Sequence, residues 1–116
     1  MIDWGRVVQL RDDVGATEFG PLLELFIDEI ETVLAQLQAG DPVRLTDDLH
    51  FIRGSAVNLG FSELVSLCRQ IETGPGQAPQ ALLDRLRGCY ASSKKEFMRD
   101  LYAVLGDDLS RSSGVA

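Results

Sequence analysis

The chain has 116 residues, 45% hydrophobic and 25% charged, which is ordinary composition for a single globular domain. Its formal net charge of −7 disfavours nucleic acid and anionic lipid as partners, because both are bound through Lys and Arg on phosphate. The apolar runs fall short of the ~18 residues a membrane span needs, and no basic start with an apolar core marks a signal peptide, so a cytoplasmic protein away from the membrane is expected.

The cysteines, Cys68 and Cys89, do not form a Cys-x-x-Cys pair, and His50 is the only histidine. A zinc site usually takes four N or S ligands, so no metal site is expected. Both cysteines lie in apolar helical patterns and read as reduced core thiols.

The apolar residues recur with a helical period almost throughout. The first segment runs from about Asp3 to Val14, with Trp4, Val7, Val8, Leu10 and Val14 on its apolar side and Gly15 as its stop. The second starts between Thr17 and Pro21, with Thr17 as a cap. Phe19, Leu22, Leu23, Phe26, Ile30, Val33, Leu34 and Leu37 follow at spacings of three and four, and Gly40 is its expected end. Asp41-Pro42 is a strong helix start, since proline's missing N–H has no intrahelical partner in the first turn. This third helix reaches Leu59 and stops at Gly60. Ser62 is the expected cap of a fourth, which carries Leu64, Leu67, Cys68 and Ile71 and ends at Gly74-Pro75-Gly76. A last long helix starts near Ala78-Pro79, carries Leu82, Leu83, Leu86, Tyr90, Phe97, Leu101, Val104 and Leu105, and closes at Gly106.

The pattern predicts an all-α fold: an antiparallel four-helix bundle with a short additional N-terminal helix packed across one end. The domain is expected to span 1–109, with 110–116 a flexible tail. A bundle that closes its own core is expected to be a monomer. The initial methionine and compact length favour a free-standing module.

The third helix carries the chemistry. At about 100° per residue, Leu45, Leu49, Ile52, Ala56 and Leu59 form one stripe, which faces the core. His50 lies roughly 140° from Leu45, and Thr46, Arg53, Gly54 and Val57 share its side. Burying that side would place Arg53 in the core, so it faces out. Arg53, at i+3, can lie beside the ring. Gly54, at i+4, costs the helix about 1 kcal/mol relative to alanine. Clearance for another surface at the histidine is one reason to keep it. Imidazole is largely neutral and nucleophilic near pH 7, and an adjacent guanidinium suits a phosphate dianion.

The run His50-Phe51-Ile52-Arg53-Gly54-Ser55-Ala56-Val57-Asn58-Leu59-Gly60 resembles the signature of histidine phosphotransfer (HPt) domains, His-x-x-Lys/Arg-Gly-small-small-x-x-apolar-Gly. The Asp3-Trp4 start, Gly15, the Leu22-Leu23-x-x-Phe26 stretch and the helix count are also similar, so the resemblance spans about Asp3 to Gly106.

It implies a phosphorelay intermediate of two-component signalling. His50 would accept a phosphoryl group from a receiver domain's aspartyl phosphate and pass it to another receiver, in a response regulator or a hybrid histidine kinase. Arg53 would be the countercharge, in place of the commoner lysine; Gly54 would give the receiver access; Gly60 would let the helix end close to the next one. Val57 and Thr46 are candidate docking residues. The module would have no intrinsic cofactor, and Mg2+ would belong to the receiver.

Plainer explanations exist for each residue alone. Arg53 could pair with Asp47 or Asp48, Gly54 could be a helix–helix contact, and His50 could be an idle surface histidine. An adaptor bundle binding a signalling partner through the same face without phosphorylation is the alternative function. A histidine kinase is disfavoured, because the chain has no Gly-rich nucleotide site and no room for a separate ATP-binding domain.

Overall fold

The computed structural model describes residues 1–74 and 80–113, with side chains described for 1–74 and 80–105. Among them are five helices: α1 (Trp4–Val14), α2 (Ala16–Gln36), α3 (Pro42–Leu59), α4 (Ser62–Thr73) and α5 (Gln80–Ser113). No strand forms among these residues; Ile2 and Phe61 make one isolated antiparallel bridge. Helices α2 to α5 pack in a ring, each against its neighbours in chain order, with α5 closing on α2, and α1 lies against α2 and α3. This is the expected bundle with an added N-terminal helix.

The apolar periodicity is realised as core. Leu23, Ile30 and Leu34 of α2, Leu64, Leu67 and Ile71 of α4, and Leu83, Leu86, Phe97 and Leu101 of α5 are all buried. They meet the α3 stripe of Leu45, Leu49, Ile52, Ala56 and Leu59, also buried throughout. Each fully buried large side chain contributes about 1.5–3 kcal/mol. Cys68 is fully buried, and desolvation, reinforced by the charge of nearby Glu72, pushes its thiol up to about 12. Cys89 is half-buried, and neither cysteine is in a disulfide.

Aromatic rings lock one end of the bundle. Trp4 stacks on Phe97 with centroids 5.4 Å apart, and Phe97 meets Phe61 edge-on at 5.5 Å. Phe61 also packs against Tyr90 at 6.1 Å. These contacts tie α1, the α3–α4 corner and α5 together. The Tyr90 hydroxyl donates to Glu31 Oε2 at 2.7 Å, and Lys94 Nζ reaches the same oxygen at 2.6 Å. Lys94, then Tyr90, hold the Glu31 carboxyl below its usual value. The stabilisation from this group is therefore present at neutral pH and fades as pH falls through the carboxylate range.

Caps explain most helix boundaries. The Asp3 and Asp41 carboxylates accept from the backbone N–H groups of Arg6 and Arg44, as N-caps do. Gly15, at φ +88°, ends α1 and begins α2 at once. Thr17 therefore lies inside the first turn of α2 and does not cap it.

Three other expectations are corrected. Helix α2 ends at Gln36, short of Gly40, because Leu37 turns into the core and the Arg87 guanidinium caps the end. Arg87 Nε donates to the Leu34 carbonyl at 3.0 Å and Nη2 to the Leu37 carbonyl at 2.8 Å. Ser62 is the first residue of α4, whose cap is Phe61 without a side-chain hydrogen bond. Phe61 occupies that place because its N–H is drawn back to the Ala56 carbonyl at 2.9 Å. Finally, α5 runs through Gly106 to Ser113. A glycine ends a helix where it turns left-handed, and among the described residues only Gly15 and Gly60 have positive φ. The expected helix start at Ala78-Pro79 and residues 114–116 of the expected tail lie outside the described residues.

Gly60 does cap α3 in the left-handed conformation, at φ +72°. The close neighbour it permits, however, is the chain entering α1. A Cβ built on Gly60 would meet the Asp3 carbonyl oxygen at 2.5 Å, and the Asp3 N–H donates to the Gly60 carbonyl at 2.7 Å. We predict that Gly60→Ala lowers stability by about 2 kcal/mol or more, from the left-handed backbone plus displacement of α1. Urea unfolding of both proteins checks this; a loss under about 0.5 kcal/mol would mean that the corner relaxes freely.

Candidate functional site

Burial of the α3 stripe fixes how the helix is rotated. Ile52, Ala56 and Leu59 are 0% exposed, so the flank two residues before Ile52 must face solvent. The His50 side chain is 59% exposed there, one residue from the fully buried edge of the core. Arg53 is half-buried and lies one turn on, with Nη2 2.8 Å from His50 Nδ1. The wheel thus places the imidazole and the guanidinium together, as expected.

The third charged member comes from α4. Glu72 is largely buried, with Oε2 3.2 Å from Arg53 Nε and Oε1 3.1 Å from His50 Nδ1. The carboxylate and guanidinium neutralise each other beside the ring. Arg53 therefore does not pair with Asp47 or Asp48. Asp48 lies 3.9 Å from Arg44 instead, an exposed i,i+4 contact of small worth. Glu72 was not among the residues singled out from the sequence. Its only trace there is its position one residue after the buried Ile71, on the margin of the apolar stripe of α4.

The polar geometry around the ring is incomplete. Arg53 Nε and Glu72 Oε1 are buried, and neither has a hydrogen-bond partner among the described residues. The Nδ1 nitrogen faces a guanidinium donor on one side and a carboxylate acceptor on the other. A neutral imidazole nitrogen either accepts or donates, so it can satisfy one of them at a time. The opposite ring nitrogen, Nε2, makes no hydrogen bond to a described residue.

Gly54 is exposed, and a Cβ built on it would meet nothing within 4 Å. It is not a helix–helix contact. The small residues that follow do pack: Ser55 and Ala56 are buried. Val57 is 40% exposed and borders a depression of about 300 Å³ shared with Asp3, Arg6, Gly60 and Val65. Thr46 is exposed, and its hydroxyl donates to the Pro42 carbonyl one turn back, at 2.9 Å. Asn58, given no role from the sequence, accepts from Arg6 Nη2 at 2.8 Å and ties α1 to α3. Phe51, 39% exposed beside His50, is an apolar surface residue that the sequence reading passed over.

The arrangement offers an accessible nucleophilic nitrogen, a cation within reach of an anion bound to it, and open space one turn away. Among the described residues no group of His, Cys, Asp and Glu could hold a metal ion, and no helix is long and apolar enough to cross a membrane.

The Hpt domain family model matches residues 21–96, which takes in most of α2, all of α3 and α4, and α5 as far as Glu96. Helix α1 lies outside that match. No curated protein and no solved structure matches the chain.

Gly54 supplies a test of whether the fold or the flank needs the glycine. Since nothing packs there, Gly54→Ala is expected to raise stability by about 0.5–1 kcal/mol. A fall in the urea midpoint would instead reveal a structural requirement for glycine.

Proposed function

From the premise that this chain belongs to the Hpt domain family, whose members are phosphocarriers of two-component signalling, we propose that it is a relay intermediate phosphorylated on His50. The observation that carries the reading is the joint placement of an exposed imidazole, the Arg53 guanidinium 2.8 Å from it, and the empty space over Gly54.

The step is a phosphoryl exchange between two side chains. A lone pair on the ring attacks the phosphorus of a receiver's aspartyl phosphate. An N–P bond forms as the P–O bond to the aspartate breaks, and the carboxylate leaves. The same step in reverse delivers the phosphoryl group to a second receiver, in a response regulator or a hybrid kinase. Arg53 can turn from Glu72 to the phosphoryl oxygens, because a guanidinium presents several donors in a planar fork. Gly54 lets the receiver's surface come down beside the ring, and Val57 is an apolar contact on its path. Transition-state charge is stabilised chiefly by the receiver, with its magnesium ion. The chain itself acts as a cytoplasmic monomer without autokinase activity.

The test mixes the protein with radiolabelled phosphorylated receivers of its own cell and follows acid-labile, alkali-stable label. Rapid transfer to the wild type and none to His50→Gln is expected, with Gly54→Gln slowed at unchanged helix content. Label persisting in His50→Gln would sink the assignment. Absence of transfer from every receiver would favour the adaptor function, and labelling by ATP alone would reveal a kinase.

A further inference from the structure

Charge on the His50 flank is unevenly balanced. Arg53 and Glu72 neutralise each other beside the ring. Arg69 of α4 is exposed, and its side chain has no ion pair and no hydrogen bond among the described residues. Only its carbonyl is engaged, accepting from the Thr73 hydroxyl at 2.8 Å. Arg85 and Lys95 are also unpaired among the described side chains, but they belong to α5.

Helix geometry puts Arg69 beside the open space over Gly54. Two contacts show which side of α4 faces α3: Glu72 meets Arg53, and Val65 lines one depression with Val57. Arg69, four residues after Val65 and three before Glu72, lies on that side and about 40–60° further outward. Bracketed by the two contacts, it stands across the seam at the level of Gly54, where a Cβ would meet nothing within 4 Å. Gly54 is about 6 Å beyond His50 along the helix axis. Arg53, 2.8 Å from the ring, is the cation within reach of a phosphoryl group there, whereas Arg69 lies under whatever surface covers Gly54. On the other side of the ring the unpaired charge is negative. Asp47, one turn before His50, is exposed and has no partner among the described residues.

We propose that Arg69 is a docking residue that selects the receiver by pairing with a carboxylate at the rim of the receiver's phosphorylation pocket. This rests on the reading of His50 as the phosphoryl carrier. A receiver that holds a magnesium ion does so through carboxylates, so the surface it brings to His50 is acidic. The carrier's own net charge is −7, and two acidic surfaces repel each other. Arg69 supplies attraction at the point of contact, and its planar fork matches a carboxylate with two hydrogen bonds. With Asp47 at the opposite end the flank is polarised, which favours the one orientation that seats the receiver's carboxylate on the cation. Arg69 does not touch the reacting atoms, so it acts on the encounter and leaves the phosphoryl step alone.

The test uses the receiver that transfers fastest to the wild type. Transfer is timed against receiver concentration for wild type, Arg69→Lys and Arg69→Glu. Calorimetry reads their binding to the same receiver loaded with beryllium fluoride, a phosphoryl mimic. At low salt Arg69→Glu should raise both Kd and the half-saturating concentration about tenfold, with the saturating rate within about twofold of wild type and Arg69→Lys within a few-fold. The gap should narrow in about 0.5 M salt, where exposed charges are screened. Among receiver variants with one rim carboxylate changed to lysine, one should bind Arg69→Glu more tightly than it binds wild type. An unchanged Kd in Arg69→Glu, or a loss confined to the saturating rate, would overturn the proposal. Binding that depends on Arg69 in a wild type that accepts no phosphoryl group would uphold the docking contact and overturn the relay function instead.

Discussion

Burial of one stripe of α3 is the constraint from which the rest follows. Leu45, Leu49, Ile52, Ala56 and Leu59 reach the core together, and at about 1.5–3 kcal/mol for each large side chain the helix has no other affordable rotation. With 100° between successive residues, His50, Arg53, Gly54 and Val57 are then carried to the outside as a set. The core thus specifies the chemical flank without containing any of it. The converse also holds: little of the flank contributes to the fold. Nothing packs on Gly54, and more than half of the His50 side chain is in solvent.

Stability resides elsewhere. The rings of Trp4, Phe61, Phe97 and Tyr90 lock the end of the bundle where α1 enters, and the Gly60–Asp3 approach fixes the same corner. That corner lies ten residues beyond His50 on α3, so it anchors the helix without crowding the ring. Glu72 is the exception to this separation. It comes from the buried margin of α4 and links the packing of two helices to the imidazole. A substitution in α4 that shifts Ile71 would therefore reach the ring through its neighbour.

The parts of the structure that were legible in the sequence are those whose signals are local. Helix α3 is framed by an Asp41-Pro42 start and a left-handed glycine at Gly60, and both act within one turn of the residues they cap. The outward flank followed from periodicity alone, and the family signature lay along that same helix. What was missed depends on residues remote in sequence. The end of α2 is set by Arg87, 50 residues from the Leu37 carbonyl it caps, so Gly40 offered a false stop. Ser62 and Gly106 have the composition of helix ends, but neither adopts the conformation that would make it one. Glu72 was invisible for the same reason: only the packing of α4 on α3 brings it to His50. The local pairing of Arg53 with Asp47 or Asp48 gave way to this longer-range contact.

The central claim is that the phosphoryl group resides on His50, and locating it in the protein is the most direct measurement. The wild type, phosphorylated by a receiver, is digested with trypsin at neutral to mildly alkaline pH, and the peptides are fragmented by a method that preserves phosphoramidates. The account predicts the phosphoryl group in the peptide from Leu45 to Arg53, on its single histidine. Phosphate on Thr46, on one of the aspartates of that peptide, or in any other peptide would contradict it.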